Sequence, residues 1–132
     1  MPASGLVYLD ASAFVKLVVH EPETPGLIAA LEGVTRLVAS EVLEVEVLRA
    51  CRRAGRDVDV ARAQLAAVRL LPLTAEVRTL AGALDPPSVR SLDAIHVATA
   101  LSLVERLGGL FTYDERMSSA ARDAGLAVFA PG

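Results

Sequence analysis

Short apolar runs alternate with longer segments of helical periodicity along almost the whole chain, and this alternation constrains the fold most. The predicted strands are residues 6–9, 37–39, 70–73, 110–113 and 126–129. The predicted helices are residues 13–19, 27–31, 41–54, 58–69, 74–84, 91–107 and 115–124. Strands that alternate with helices in this way form parallel sheets. We therefore predict an α/β fold with a central parallel β-sheet flanked by helices on both faces.

Some predicted boundaries depend on single residues that begin or end helices. Ser12 and Ser40 each precede a helical pattern and are predicted to cap it. Gly55 and Gly125 follow helical patterns, where glycine is the usual residue beyond a helix end. The pair Gly108-Gly109 is expected to close the long helix that begins near Ser91.

Length and composition indicate a protein with an aliphatic core and no disulfide. The 132 residues correspond to a single domain over 1–132. Hydrophobic residues make up 53% of the chain and aromatic residues only 4%, so the core is built from Ala, Val and Leu. Cys51 is the only cysteine, and no leader pattern is recognisable, so we expect a reducing cytoplasmic environment. No apolar run reaches the roughly 18 residues that cross a membrane.

The charge balance leaves two interpretations open. A net charge of −3 is unusual for a nucleic-acid binder, but bound cations would neutralise clustered acids. All the basic residues except Lys16 are arginines. Arginine contacts phosphate through two parallel hydrogen bonds, although a GC-rich genome would produce the same bias.

Two acidic residues fall on the apolar sides of predicted helices. On a helical wheel, Glu46 lies within the apolar arc of its helix, whereas Glu44 and Glu41 lie outside it. Asp93 lies at the centre of the apolar face of the next long helix. A buried carboxylate is unfavourable unless it is paired or binds a metal. The alternatives are an exposed or paired Glu46, and an Asp93 that only stabilises the helix N-terminus.

Two further acids, Asp10 and Asp114, each directly follow a predicted strand. In open parallel sheets, ligands bind beyond the carboxyl ends of the strands. Taken singly, each residue is equally consistent with a turn or a helix N-cap. Together with Glu46 and Asp93, however, they can converge at one end of the sheet.

A cluster of four carboxylates suits hard divalent cations. Oxygen ligands favour Mg²⁺ or Mn²⁺, and one cysteine with two histidines provides no zinc motif. Such a cluster supports metal-assisted phosphoryl transfer, in which water is the nucleophile.

Four short segments resemble the motifs of PIN-domain nucleases. They are Tyr8-Leu9-Asp10-Ala11-Ser12-Ala13, Ser40 with Glu46-Val47-Leu48-Arg49-Ala50, Ser91-Leu92-Asp93-Ala94-Ile95-His96-Val97-Ala98-Thr99-Ala100, and Phe111-Thr112-Tyr113-Asp114. The resemblance runs from about residue 6 to residue 131 and is closest to VapC toxins, the ribonuclease half of VapBC toxin–antitoxin systems.

The resemblance implies a PIN fold and metal-dependent endonucleolytic cleavage of RNA with Mg²⁺ or Mn²⁺. It implies an acidic quartet as both catalytic and metal-binding residues: Asp10, Glu46, Asp93 and Asp114. Asp10 and Asp93 would be the strongest metal ligands, and the hydroxyls of Ser12 and Thr112 would orient metal-bound water. It also implies a homodimer and a cognate VapB-type antitoxin.

Two arginines, a histidine and three alternative functions also bear on this interpretation. Arg49 and Arg53 lie on the same side of their helix as Glu46, where they either contact RNA phosphate or simply favour the helix C-terminus. His96 is expected to make core or partner contacts rather than to take part in catalysis. A catalytically silent PIN-like binding module remains the alternative. A phosphorylated receiver domain is disfavoured because Lys16 lies too early in the chain, and a haloacid-dehalogenase-type phosphatase because Asp10-Ala11-Ser12 lacks the second aspartate.

Overall fold

The structure, a computed structural model, describes residues 5–132 and contains one parallel sheet. Its strands are β1 (Gly5–Leu9), β2 (Val34–Ser40), β3 (Val68–Leu71), β4 (Leu107–Phe111) and β5 (Val128–Phe129). The spatial order is β3-β2-β1-β4-β5, and every neighbouring pair is parallel. The predicted α/β class is therefore confirmed. The predicted single domain over 1–132 includes residues 1–4, which lie outside the described part.

Helices cover the sheet in two groups. They are α1 (Ala11–Val18), α2 (Thr24–Leu31), α3 (Val42–Arg53), α4 (Val58–Leu65), α5 (Ala75–Gly82), α6 (Ser91–Leu101) and α7 (Glu115–Asp123). Helix α1 contacts α2, α3 and α4, and α3 contacts α4, whereas α6 contacts both α5 and α7. Right-handed crossovers explain this division. The chain crosses the sheet in one direction from β1 to β3 and in the opposite direction from β3 to β5, so the connecting helices fall into two groups.

The core is aliphatic around the central strand, as the composition predicts. Val7, Tyr8 and Leu9 of β1 are fully buried, as expected for a parallel strand covered on both faces. Phe14 and Leu43 lie in the same buried cluster, which is otherwise built mainly from Val, Leu and Ala. This packing fixes the position of the residue that follows β1.

Several helix boundaries differ from the predictions. Asp10, not Ser12, is the N-cap of α1, because its side chain accepts a hydrogen bond from the Ala13 amide. Ser40 lies one residue further out than predicted: α3 begins at Val42, whose amide approaches the Ser40 hydroxyl at 3.3 Å. Helix α4 ends at Leu65 instead of residue 69, because pairing with β2 draws Val68 into β3.

The largest difference concerns the end of α6. The predicted helix 91–107 ends at Leu101, and residues 102–106 form a turn. The Ser102 hydroxyl donates to the Thr99 carbonyl at 2.6 Å, and Leu103 bonds back to Ala100 in the tighter spacing of a helix end. Gly108-Gly109, expected to stop the helix, lies within β4 between two paired strands.

The predicted glycine stops at the ends of α3 and α7 are confirmed. Gly55 and Gly125 have φ angles of +66° and +93°, a backbone region that favours glycine. Among the described residues, no helix combines the length and apolar character needed to cross a bilayer.

Candidate active site

Asp10 and Asp114 lie at the carboxyl ends of two neighbouring strands. Asp10 directly follows β1, and Asp114 follows β4 after two residues. The strand order reverses at β1, since β2 lies on one side of it and β4 on the other. Parallel α/β sheets bind ligands at such a reversal, beyond the strand ends. The fold therefore places these two acids where a ligand site is expected.

The Asp10 carboxylate is buried and held by three donors. Oδ1 accepts hydrogen bonds from the Ala13 amide at 3.0 Å and from the Ser12 hydroxyl at 2.7 Å. Oδ2 accepts one from the Thr112 hydroxyl at 2.6 Å. Burial raises the pKa of Asp10 above its ordinary value, while the bonds from Thr112, Ala13 and Ser12 lower it in part. The result is a carboxylate of fixed orientation at the end of β1.

The hydroxyls of Ser12 and Thr112 connect the ends of β1 and β4. Each donates to Asp10 and accepts from a backbone amide: Ser12 from Tyr113 at 2.8 Å, and Thr112 from Asp114 at 3.1 Å. These hydroxyl protons are thus directed at Asp10. The structure therefore supports a function for these two residues in orienting the Asp10 carboxylate. Their predicted contact with metal-bound water stays a prediction.

Glu46 faces inward from the second turn of α3, as the helical wheel predicts, whereas Glu44 is exposed. Its Oε1 lies 2.6 Å from Nε2 of His96, and its side chain is 21% exposed. On the other side of the ring, His96 Nδ1 lies 2.6 Å from the Tyr8 hydroxyl, which accepts a hydrogen bond from the Ser40 amide at 2.9 Å. Glu46 is therefore tied to the buried core by a chain of hydrogen bonds.

Asp93 lies half-buried in the first turn of α6. Burial raises the pKa of Asp93, and the negative charges of Asp114, Asp10 and Glu46 raise it further, while His96 lowers it. Asp93 thus lies within electrostatic range of the other three predicted acids. Asp93 also lies in the first turn of α6, where its charge favours the helix N-terminus, as the alternative interpretation predicts.

Asp114 is exposed and is the N-cap of α7. Its Oδ1 accepts hydrogen bonds from the amides of Arg116 at 2.8 Å and Met117 at 3.2 Å. The N-cap interpretation is therefore correct for Asp114 and for Asp10. In both residues the carboxylate that caps a helix also raises the pKa of Asp93.

The donor set of this cluster suits a hard divalent cation. All four acids supply oxygen, and the repulsion between Asp93 and the other three is the kind that a bound cation relieves. Among residues 5–132, however, no three acidic, His or Cys side chains already lie in a geometry that would hold one ion. Binding therefore requires side-chain movement, for which the exposed Asp114 and half-buried Asp93 leave room.

Two grooves lined by arginine flank the acids. One, of about 680 Å³, is lined by residues that include Glu46, Arg49 and Arg53. The other, of about 360 Å³, contains Asp93, Arg90 and Arg116 among its lining residues. All four arginines are exposed, and no carboxylate lies within ion-pair distance of them in the described chain.

Lys16 also lines the larger groove, but its charge is already compensated. Its Nζ lies 2.8 Å from Glu23 and 3.4 Å from Glu21, and 4.6 Å from the centre of the Tyr113 ring. The contacts with Glu23 and Glu21 raise the pKa of Lys16, with the bond to Glu23 as the largest cause. The free positive charge in this groove therefore comes from arginine.

The sequence does not predict that Tyr8 takes part in the site, and it predicts only a core or partner contact for His96. Both are almost completely buried. The expectation of a core contact for His96 is correct, but that contact reaches Glu46. The signal in the sequence is that Tyr8 and His96 are polar residues within otherwise apolar segments. Their hydrogen bond joins residues 88 positions apart, so it depends on the fold.

Comparison with known proteins agrees with this architecture. Residues 7–123 match the family described as the PIN domain. The chain is 46% identical over 126 residues to Ribonuclease VapC46 of Mycobacterium tuberculosis, covering 95% of this chain and 97% of that protein.

Two solved structures share the fold at low sequence identity. VapC20 of Mycobacterium tuberculosis, described as a sarcin-ricin loop cleaving toxin, is 16% identical with a TM-score of 0.72, covering 95% of this chain and 99% of that one. VapBC2 of Rickettsia felis, bound to a DNA fragment from its promoter, is 12% identical with a TM-score of 0.73, covering 96% and 99%.

Proposed function

This chain belongs to the PIN-domain family, among the VapC ribonucleases, and we propose that it is a divalent-metal-dependent endoribonuclease whose site is Asp10, Glu46, Asp93 and Asp114. The observation that carries the site assignment is the electrostatic coupling of Asp93 to the other three acids at the strand reversal. Isolated surface acids would not share one electrostatic environment at the end of a parallel sheet.

Mg²⁺ or Mn²⁺ is the proposed cofactor, with Asp10 and Asp93 as the principal ligands and Glu46 and Asp114 completing the set. Bound there, such a cation activates water and stabilises the charge that develops on the phosphate. Asp10 offers a carboxylate already oriented by Ser12, Thr112 and the Ala13 amide. Asp93 and Asp114 approach the same space from the starts of two helices.

The proposed substrate is RNA, which the arginines of the two grooves would contact. Arg49 and Arg53 lie on the Glu46 side, and Arg90 and Arg116 on the Asp93 side, so basic residues flank the acids on both sides. Guanidinium groups bind phosphate through paired hydrogen bonds. This distribution resolves the apparent conflict between an acidic chain and a polyanionic substrate.

The family also supports the proposed biological setting, that of a toxin in a type II toxin–antitoxin system. Because structural neighbours include VapBC2 and a toxin–antitoxin complex from Klebsiella pneumoniae, we expect a VapB-type antitoxin as the partner of this chain. A homodimer and a cytoplasmic location complete the proposal, and size-exclusion chromatography with light scattering tests the homodimer.

The function is tested by incubating purified protein, freed of any antitoxin, with total cellular RNA. Reactions contain Mg²⁺, Mn²⁺ or EDTA, and an Asp93→Asn variant runs in parallel. We expect discrete fragments that disappear with EDTA and with the substitution. Intact RNA with folded, metal-loaded wild-type protein would favour the alternative of a catalytically silent binding module.

A further inference from the structure

A buried hydrogen-bonded chain runs from the backbone of β2 to the acidic cluster. The Ser40 amide donates to the Tyr8 hydroxyl, which contacts Nδ1 of His96, and Nε2 of His96 contacts Glu46. Tyr8 is 0% and His96 1% exposed. The chain therefore links β2, β1, α6 and α3 through the buried side chains of Tyr8 and His96.

Hydrogen-bond chemistry sets the direction of this chain. An ionised Glu46 oxygen at 2.6 Å from Nε2 requires a proton on Nε2, because a nitrogen lone pair would repel it. The Ser40 amide occupies one lone pair of the Tyr8 oxygen and leaves the hydroxyl proton free to donate to Nδ1. In the neutral ring, each donor along the chain then faces an acceptor.

The ring itself has little freedom. Tyr8 and His96 pack edge to face, with ring centres 5.7 Å apart and an interplanar angle of 78°. Rotation of the His96 ring would break hydrogen bonds on both of its sides in a buried environment. The Glu46 side chain, by contrast, is 21% exposed, and among residues 5–132 its only side-chain hydrogen bond is to this ring.

We infer that His96, held by Tyr8, is a positioning residue that fixes the Glu46 carboxylate through Oε1 and leaves Oε2 directed to the metal site. This inference rests on the proposed metal-dependent cleavage. Groups that hold a metal ligand in place typically change metal affinity or activity by about 10–100-fold when they are removed. His96 would act through Glu46 alone and would not touch RNA.

The first test measures Mn²⁺ affinity by calorimetry, without RNA, in Tyr8→Phe and His96→Leu. We expect the Mn²⁺ affinity to fall by about 10–100-fold in His96→Leu and by less in Tyr8→Phe. His96→Gln retains an amide N–H that can reach Glu46 and should recover part of the loss. Unchanged affinity in both Tyr8→Phe and His96→Leu would overturn the inference.

Matched controls come from the chain's only other tyrosine and histidine. Tyr113→Phe removes a hydroxyl that bonds to the Pro131 carbonyl, and His20→Leu replaces an exposed imidazole. Neither side chain belongs to the buried chain, so Mn²⁺ affinity should stay at the wild-type value in both. An equal loss in controls and test variants would contradict a specific function of His96.

A double-substitution experiment separates positioning from general damage. In a Glu46→Ala background, adding Tyr8→Phe should not change Mn²⁺ affinity further, because its effect passes through Glu46. The same loss in both backgrounds would mean that Tyr8 acts through the fold as a whole. On RNA cleavage, Tyr8→Phe should lower kcat and leave KM unchanged, since the hydroxyl is buried.

Failure of this inference can be distinguished from failure of the proposed function. If wild-type protein neither binds Mn²⁺ nor cleaves RNA, both are wrong. If the wild type does both and Tyr8→Phe and His96→Leu equal it, only the inference is wrong. Histidine ¹⁵N NMR of metal-free protein adds an independent measurement, in which His96 should carry a proton on Nε2. A bare Nε2 would exclude donation to Glu46.

Discussion

The Thr112 hydroxyl donates to Oδ2 of Asp10 at 2.6 Å, across 102 positions of the chain. This bond joins the residues that follow β1 and β4 and helps to keep a buried carboxylate in one orientation. Thr112 is almost fully buried, and its oxygen also accepts from the Asp114 amide. A single hydroxyl therefore connects two of the four proposed site residues.

Thr112→Val should reduce the free energy of unfolding by about 1–3 kcal/mol, because it removes a partner of a buried carboxylate. It should also raise the pKa of Asp10 further, since the Thr112 bond now lowers that pKa. Urea denaturation and NMR titration of metal-free protein measure the two effects. The control is Thr79→Val, whose exposed hydroxyl bonds only to its own helix, and equal destabilisation by both would contradict the prediction.

Asp93→Asn should abolish cleavage and yet stabilise the metal-free protein at neutral pH. The pKa of Asp93 is raised in the folded state, so between its ordinary and raised values the folded chain binds more protons than the unfolded chain. Stability is therefore lost as pH rises through this window, and above it the loss is constant.

The gain from Asp93→Asn should thus grow from pH 4 toward pH 7. Asp93 is only half-buried, so solvent screening limits the gain to about 1 kcal/mol or less. Denaturation in EDTA at several pH values measures it. A variant less stable than wild type at pH 7 would show that Asp93 supports the fold instead of straining it.

Mn²⁺ should stabilise the folded protein against heat. A ligand that binds only the folded state adds about 2.7 kcal/mol at a concentration 100 times its Kd. The melting temperature should therefore rise with Mn²⁺ and return to its starting value with EDTA. The rise should shrink as pH falls, because the raised pKa values of Asp10 and Asp93 allow protons to compete with the metal. Asp10→Asn should remove most of it, and an undiminished rise would exclude this site.

Arg49→Gln and Arg53→Gln should each weaken RNA binding without changing sequence preference. Each lost phosphate contact should reduce the slope of log affinity against log salt by about 0.7 for single-stranded RNA. Binding of RNA to a cleavage-inactive Asp93→Asn protein at several salt concentrations measures this slope. The matched control is Arg106→Gln, because Arg106 is exposed in the turn before β4, at the amino ends of the strands. If all three variants behave alike, the effect reflects net charge and not the groove.

The sequence was sufficient for the α/β class and for the existence of each strand and helix. Apolar periodicity differs between strands and helices, and Gly55 and Gly125 permit backbone angles that end helices. It also predicted that Glu46 faces inward and Glu44 outward, because the side of a helix on which a residue lies follows from its spacing along the chain. These are local properties, which neighbouring residues determine.

Tertiary structure decided the features that depend on partners distant in the chain. Leu107 lies in β4 rather than at the end of the predicted helix because its pairing with Leu6 of β1 outweighs local helical preference. Asp10 rather than Ser12 caps α1, since the Ser12 hydroxyl donates to Asp10 itself. The contact of His96 with Tyr8 and Glu46 arises only when folding brings α6, β1 and α3 together. Such hydrogen bonds form between residues that only folding brings together, and periodicity within one helix carries no information about them.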